Sequence, residues 1–141
     1  MADDVILNKC ATIERCVKRV KEEWTLAGDG FDTDHTRQDA AILNIQRACE
    51  AAIDIGQYII RKNQLGLPQG ARDIFTVLAD KKIISPNLAE SLKKMVGFRN
   101  IVVHNYQSLA LPIVKAIIQN HLEDFTEFKQ QAINYSAKSL E

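Results

Sequence analysis

Glycine and proline are scarce in this chain, and that scarcity limits its folds more than any other feature. Six Gly and three Pro are spread over 141 residues, and most of them fall where the hydrophobic pattern also stops. Between these breaks, apolar residues recur every three or four positions, the repeat of one face of an α-helix. Ile6, Cys10, Ile13, Val17, Val20 and Trp24 mark a first helix from Asp4 to about Glu23, with Asp3 or Asp4 to cap it. Ala27-Gly28-Asp29-Gly30 interrupts, and Asp32-Thr33-Asp34 offers new caps. A second helix is expected from His35 to about Arg61, with apolar residues such as Ile42, Ile45, Cys49, Ile53 and Ile59 giving it a surface broad enough for the centre of a bundle. Residues 63–70 read as a loop by their Gly and Pro content. Ala71 to Ala79 predicts a short third helix, and Ser85-Pro86 starts a fourth that runs to about Val103, where β-branched residues weaken its end. Pro112 opens a fifth reaching about Tyr135. The expected architecture is all-α, an antiparallel bundle of four or five helices in one domain over residues 1–141.

Eighteen Lys and Arg balance eighteen Asp and Glu. A net charge of zero excludes attachment to nucleic acid or membrane by bulk charge, but not a local patch. Residues 81–104 hold Lys81, Lys82, Lys93, Lys94 and Arg99 against Glu90 alone, a net +4, whereas residues 1–80 carry −3 and residues 105–141 carry −1. An RNA-attracting surface is therefore expected on the helix that ends near residue 104, with Lys93 and Lys94 as candidate RNA contacts. No apolar run approaches the roughly 18 residues of a membrane span. The first residues show no secretory signal, so the expected location is cytoplasmic, with no membrane partner. Under that expectation the match of Asn134-Tyr135-Ser136 to a glycosylation sequon is chance. Cys10, Cys16 and Cys49 form no CxxC pair and are expected as reduced, buried thiols. Gly28-Asp29-Gly30 lacks the later Gly and Lys of a phosphate loop and reads as a turn. His35 and His121 are expected at the surface or as caps with no metal, and the carboxylate pairs Glu22-Glu23 and Glu123-Asp124 are expected to face water.

The chemistry concentrates in Phe98-Arg99-Asn100-Ile101-Val102-Val103-His104-Asn105-Tyr106. An Arg that keeps its proton and a His that titrates near neutrality are the minimum set for cutting RNA without metal: one stabilises phosphorane charge, the other moves protons. Five residues apart, Arg99 and His104 lie roughly 140° apart on a straight helix. They converge if the helix ends or bends between them, or if a second subunit supplies the partner group. The bland alternative is that Arg99 pairs with a surface acid and His104 sits at a helix C-terminus. Gly97 costs about 1 kcal/mol relative to Ala inside a helix. Either a close helix approach at a dimer seam or local packing inside one subunit would justify it.

Arg99-Asn100-x-x-x-His104-x-Tyr106 resembles the Arg, polar residue, spacer, His signature of HEPN-domain ribonucleases, in the form extended by His-x-Tyr that marks the HepT toxins. The motif follows a Ser-Pro-initiated helix and precedes the last long one, and residues 41–54 resemble the long second helix of that family. The resemblance implies a HEPN-like bundle acting as the toxin of a toxin–antitoxin module, a metal-independent endoribonuclease without cofactor, with tRNA as the expected substrate. It implies a homodimer whose two motifs meet in one cleft. Arg99 would stabilise the transferring phosphate, His104 would assist attack by the ribose 2′-OH, and Asn100 would bind or orient a phosphate oxygen. Chemistry that uses the 2′-OH spares DNA. The resemblance further implies an MNT-type nucleotidyltransferase antitoxin that transfers AMP from ATP onto Tyr106, blocking RNA by volume and like charge. The alternative is a non-catalytic HEPN module that only binds a nucleotidyltransferase.

Overall fold

The computed structural model describes residues 3–139. Six helices follow in order: α1 (Asp4–Ala27), α2 (His35–Lys62), α3 (Ala71–Asp80), α4 (Pro86–His104), α5 (Leu111–Asn120) and α6 (Leu122–Ser139). The expected all-α bundle is present, and its starts are set by the expected caps. Asp3 Oδ1 accepts the N–H of Val5 at 2.8 Å, Asp34 Oδ1 that of Arg37 at 3.1 Å, and Ser85 Oγ that of Leu88 at 3.3 Å. Gly28, with φ of 55°, ends α1 in a conformation that disfavours side chains, and residues 28–30 form a single 3-10 turn.

The stretch expected as one C-terminal helix is two. α5 stops at Asn120, and His121 caps it with its N–H on Ile117 O at 2.9 Å. The His121 ring meets Asp124 in the first turn of α6, Nδ1 to Oδ2 at 3.1 Å. Val114, Ile117, Ile118, Leu122, Phe125 and Phe128 are all buried across the break. The apolar phase is kept through the interruption, so periodicity could not reveal it.

α2 is the central element and packs on α1, α3, α4 and α6. Phe75 of α3 and Phe128 of α6 meet edge to face at 5.7 Å in the core. Gly56 permits the closest approach: a Cβ there would stand 2.5 Å from Ile74 Cγ2 and 3.2 Å from Leu78 Cδ1. With no side chain in the way, α3 lies directly on α2, which brings its first turn beside α4.

Glu23 corrects an expectation. Instead of facing water it is 2% exposed. Arg37 Nη1 lies 2.8 Å from one carboxylate oxygen and Arg19 Nη2 lies 3.1 Å from the other, so the buried charge is paired on both sides. The pairing holds the Arg37 guanidinium above its ordinary pKa, chiefly through its hydrogen bond to Glu23. Arg37 arrives from α2, which the local sequence around Glu23 does not contain. Glu22 and Glu123 are exposed as expected, while Asp124 is half-buried.

Cys10, Cys16 and Cys49 are free and buried. Burial pushes the Cys10 thiol up to about 11 and that of Cys49 to about 12, so both stay protonated and unreactive at neutral pH. Among the described residues no helix is long and apolar enough to cross a membrane.

Candidate functional site

α4 carries the candidate residues, and it is unbroken from Pro86 to His104. The β-branched run 101–103 does not end it. Asn105 does, leaving helical geometry at φ −154° while its N–H still bonds Ile101 O at 2.8 Å. Arg99 and His104 therefore stay on different sides of one continuous helix, and an end between them is ruled out.

Arg99 and Asn100 open onto a cleft of about 410 Å³ between the start of α3 and α4, lined also by Gly70, Arg72, Asp73 and Val96. Arg99 is half-buried, and its Nε is fully buried with no hydrogen-bond partner. It makes no ion pair among the described residues, and the surface-acid alternative does not occur among them. His104, the last residue of α4, is exposed and lies outside that cleft. Asn100 precedes it by four residues and so sits one turn back on nearly the same side, linking the cleft to the imidazole.

The opposite side of α4 forms an apolar groove with α5, lined by Met95, Phe98, Ile101, Ile113 and Ile117. Ile101, Val103 and Ile113 are exposed large hydrophobic residues around this end of α4. Lys94 lines the groove and not the cleft, and Lys93 pairs with Glu90 at 3.1 Å. The structure does not gather these two lysines at Arg99. Within the subunit the missing Cβ of Gly97 faces Arg72 Nη2 at 3.0 Å, and Gly97 also lines the apolar groove. His35 begins α2 at the surface. Among the described residues no group of three His, Cys, Asp or Glu side chains is placed to hold a metal ion.

Tyr106 opens a 3-10 turn just beyond α4 and is 43% exposed. Its hydroxyl donates to the Asp39 carboxylate of α2. Partial burial, then this carboxylate, pushes the phenol up to about 12. The shift favours the protonated form in the fold, so its contribution is complete below the ordinary phenol range near 10 and is lost as pH rises through about 12. Asp39→Asn should lower the phenol pKa only part of the way, since burial remains. Tyrosine ring 13C NMR over a pH titration reads this directly, and an unchanged pKa would mean that Asp39 has no hold on the phenol. Asp39 and Arg72 were not visible as site residues in the sequence. They stand far from the motif along the chain, and the mid-helix glycine at 97 was the only trace of either.

The model of the family described as "Ribonuclease HepT-like" matches residues 13–132. An mRNA nuclease HepT of Shewanella oneidensis is 54% identical over 128 residues, 89% of this chain and 94% of the relative. A tRNA nuclease HepT of Aphanizomenon flos-aquae is 24% identical over 131 residues, 93% of this chain and 89% of the relative. The structure of a tri-AMPylated Shewanella oneidensis HEPN toxin in complex with MNT antitoxin superposes with a TM-score of 0.87 at 51% identity, covering 92% of this chain and 96% of that one. A cytosolic protein of Bacillus subtilis shares the fold at 20% identity and a TM-score of 0.73.

Proposed function

The chain belongs to the HepT-like ribonuclease family, and from that premise we propose that it is the toxin of a toxin–antitoxin pair, cutting RNA as a homodimer without metal. One observation carries the mechanism: α4 runs unbroken through the motif, with Arg99 and Asn100 in a cleft and His104 exposed past them. Within one chain the two groups start from different sides of the helix, and a second copy can supply the partner group. A two-fold axis on the Arg99–Asn100 side of this end of α4 would face the two copies of the motif across one RNA strand.

In such a cleft one His104 takes the proton of the ribose 2′-OH as its oxygen attacks the adjacent phosphorus. The His104 of the second copy returns a proton to the departing 5′-oxygen. The products are a 2′,3′-cyclic phosphate and a free 5′-hydroxyl. The Arg99 guanidiniums offset the charge that gathers on the phosphorane, and Asn100 fixes a phosphate oxygen between Arg99 and His104. RNA is the substrate class, mRNA being cut by the 54% identical relative and tRNA by the other. It acts in the cytoplasm, where mRNA and tRNA are found.

The partner is an MNT-type nucleotidyltransferase antitoxin, and Tyr106 is the acceptor of AMP. Its phenol is exposed two residues beyond His104, and its proton already rests against the Asp39 carboxylate. A non-catalytic module that binds only the antitoxin is the competing reading. Purified protein in EDTA separates them: RNA is cut while a 2′-deoxy strand of the same sequence survives. Intact RNA with antitoxin binding retained would establish the binding module instead.

A further inference from the structure

Arg72 stands in the first turn of α3, and its guanidinium rests against the backbone of α4. A Cβ on Gly97 would lie 3.0 Å from Arg72 Nη2, and beyond the neighbouring residues and the helix's own backbone no other atom of the described residues comes within 4 Å of it. Glycine inside a helix is destabilising relative to alanine. This one nitrogen stands against the place of its missing methyl, closer than an ordinary contact by a few tenths of an ångström. Arg72 makes no hydrogen bond or ion pair among the described residues. The neighbouring Asp73 lines the same cleft but forms no ion pair with Arg72, its Oδ2 accepting the N–H of Gln69 at 2.9 Å.

Arg72 lines the same cleft as Arg99 and Asn100. Two guanidiniums that share a cleft with no carboxylate bound to either repel one another, and an anion between them reverses the sign of the interaction. Their planar forks match the paired oxygens of a phosphodiester.

We propose that Arg72 is an RNA-binding residue: it holds a backbone phosphate beside the one that is cut, and Gly97 is the notch in α4 that admits its guanidinium. The proposal rests on the ribonuclease reading above and adds a substrate contact to it. Register along α4 assigns the neighbouring phosphate. Gly97 precedes His104 by seven residues, about 10 Å along the helix axis, too far for Arg72 and the imidazole to share one phosphorus. Arg72 therefore contributes to holding RNA and not to proton transfer.

The test uses the full-length dimer and a short 2′-O-methyl RNA oligomer, which binds but lacks the attacking hydroxyl. Arg72→Ala should weaken its binding by about tenfold, and the slope of log affinity against log salt should fall by about 0.7. On cleavable RNA its KM rises while kcat stays within about twofold. Gly97→Ala keeps the guanidinium but displaces it, so it too weakens binding, and in the Arg72→Ala background it should add nothing. Because alanine favours the helix, this second variant folds. Unchanged oligomer binding by Arg72→Ala, or a fall in kcat at constant KM, would overturn the proposal. Failure of the ribonuclease reading looks different: wild type then leaves RNA uncut, while the difference in oligomer binding persists.

Discussion

His104→Ala should reduce RNA cleavage by about a thousandfold and leave the bundle folded. The size follows from the role: in a shared cleft the substitution removes both the base and the acid. The intact fold follows from the position. His104 is exposed at the last residue of α4 and contributes nothing to the core, so the Tm should stay near that of wild type. Retained cleavage would remove His104 from the chemistry. Co-refolding equal amounts of wild type and variant tests whether the cleft is shared. A cleft that needs both imidazoles keeps only wild-type homodimers active, about a quarter of the total, whereas a self-contained site keeps about half.

The second large effect is silencing through Tyr106. Incubation with the antitoxin and ATP should add AMP to wild type and lower cleavage by at least about a hundredfold, because a bulky anion then stands at the mouth of a phosphate-binding cleft. Modification also removes the hydroxyl proton that Asp39 accepts and sets a phosphate against that carboxylate. The modified ring would be driven off α2 and outward to the RNA path. Tyr106→Phe should cut RNA as wild type does, gain no AMP by intact mass, and remain active beside the antitoxin. Tyr58 and Tyr135 serve as internal controls, both being half-buried. AMP found on Tyr106→Phe, or a modified wild type that still cuts, would sink the assignment.

Much of the fold was legible because local signals agreed. Asp3, Asp34 and Ser85 each cap the helix whose start they marked, and the apolar stripes of α1, α2 and α4 are the buried ones. The break at His121 was hidden because the turn preserves the apolar phase on either side. Glu23 was misjudged for a different reason. A carboxylate becomes buried when cations reach it, and Arg37 does so from the next helix.

The candidate site divides the same way. The chemical types and spacing of Arg99, Asn100, His104 and Tyr106 are properties of one segment, so they stand in the sequence without any knowledge of contacts. Charge counted along the chain pointed to Lys93 and Lys94, yet one is tied to Glu90 and the other lines the apolar groove. The cation that does share the cleft with Arg99 is Arg72, from the acid-rich first part of the chain. The sequence by itself determined the all-α architecture and the helix caps and held the candidate residues, because periodicity, capping and side-chain chemistry act over a few neighbours. Tertiary structure alone decided that α4 stays straight through the motif, that Arg72 and Asp39 join it and that Glu23 is buried. Those outcomes depend on which helices pack together, and residues from α2 and α3 meet α4 and the turn beyond it only once the core has closed.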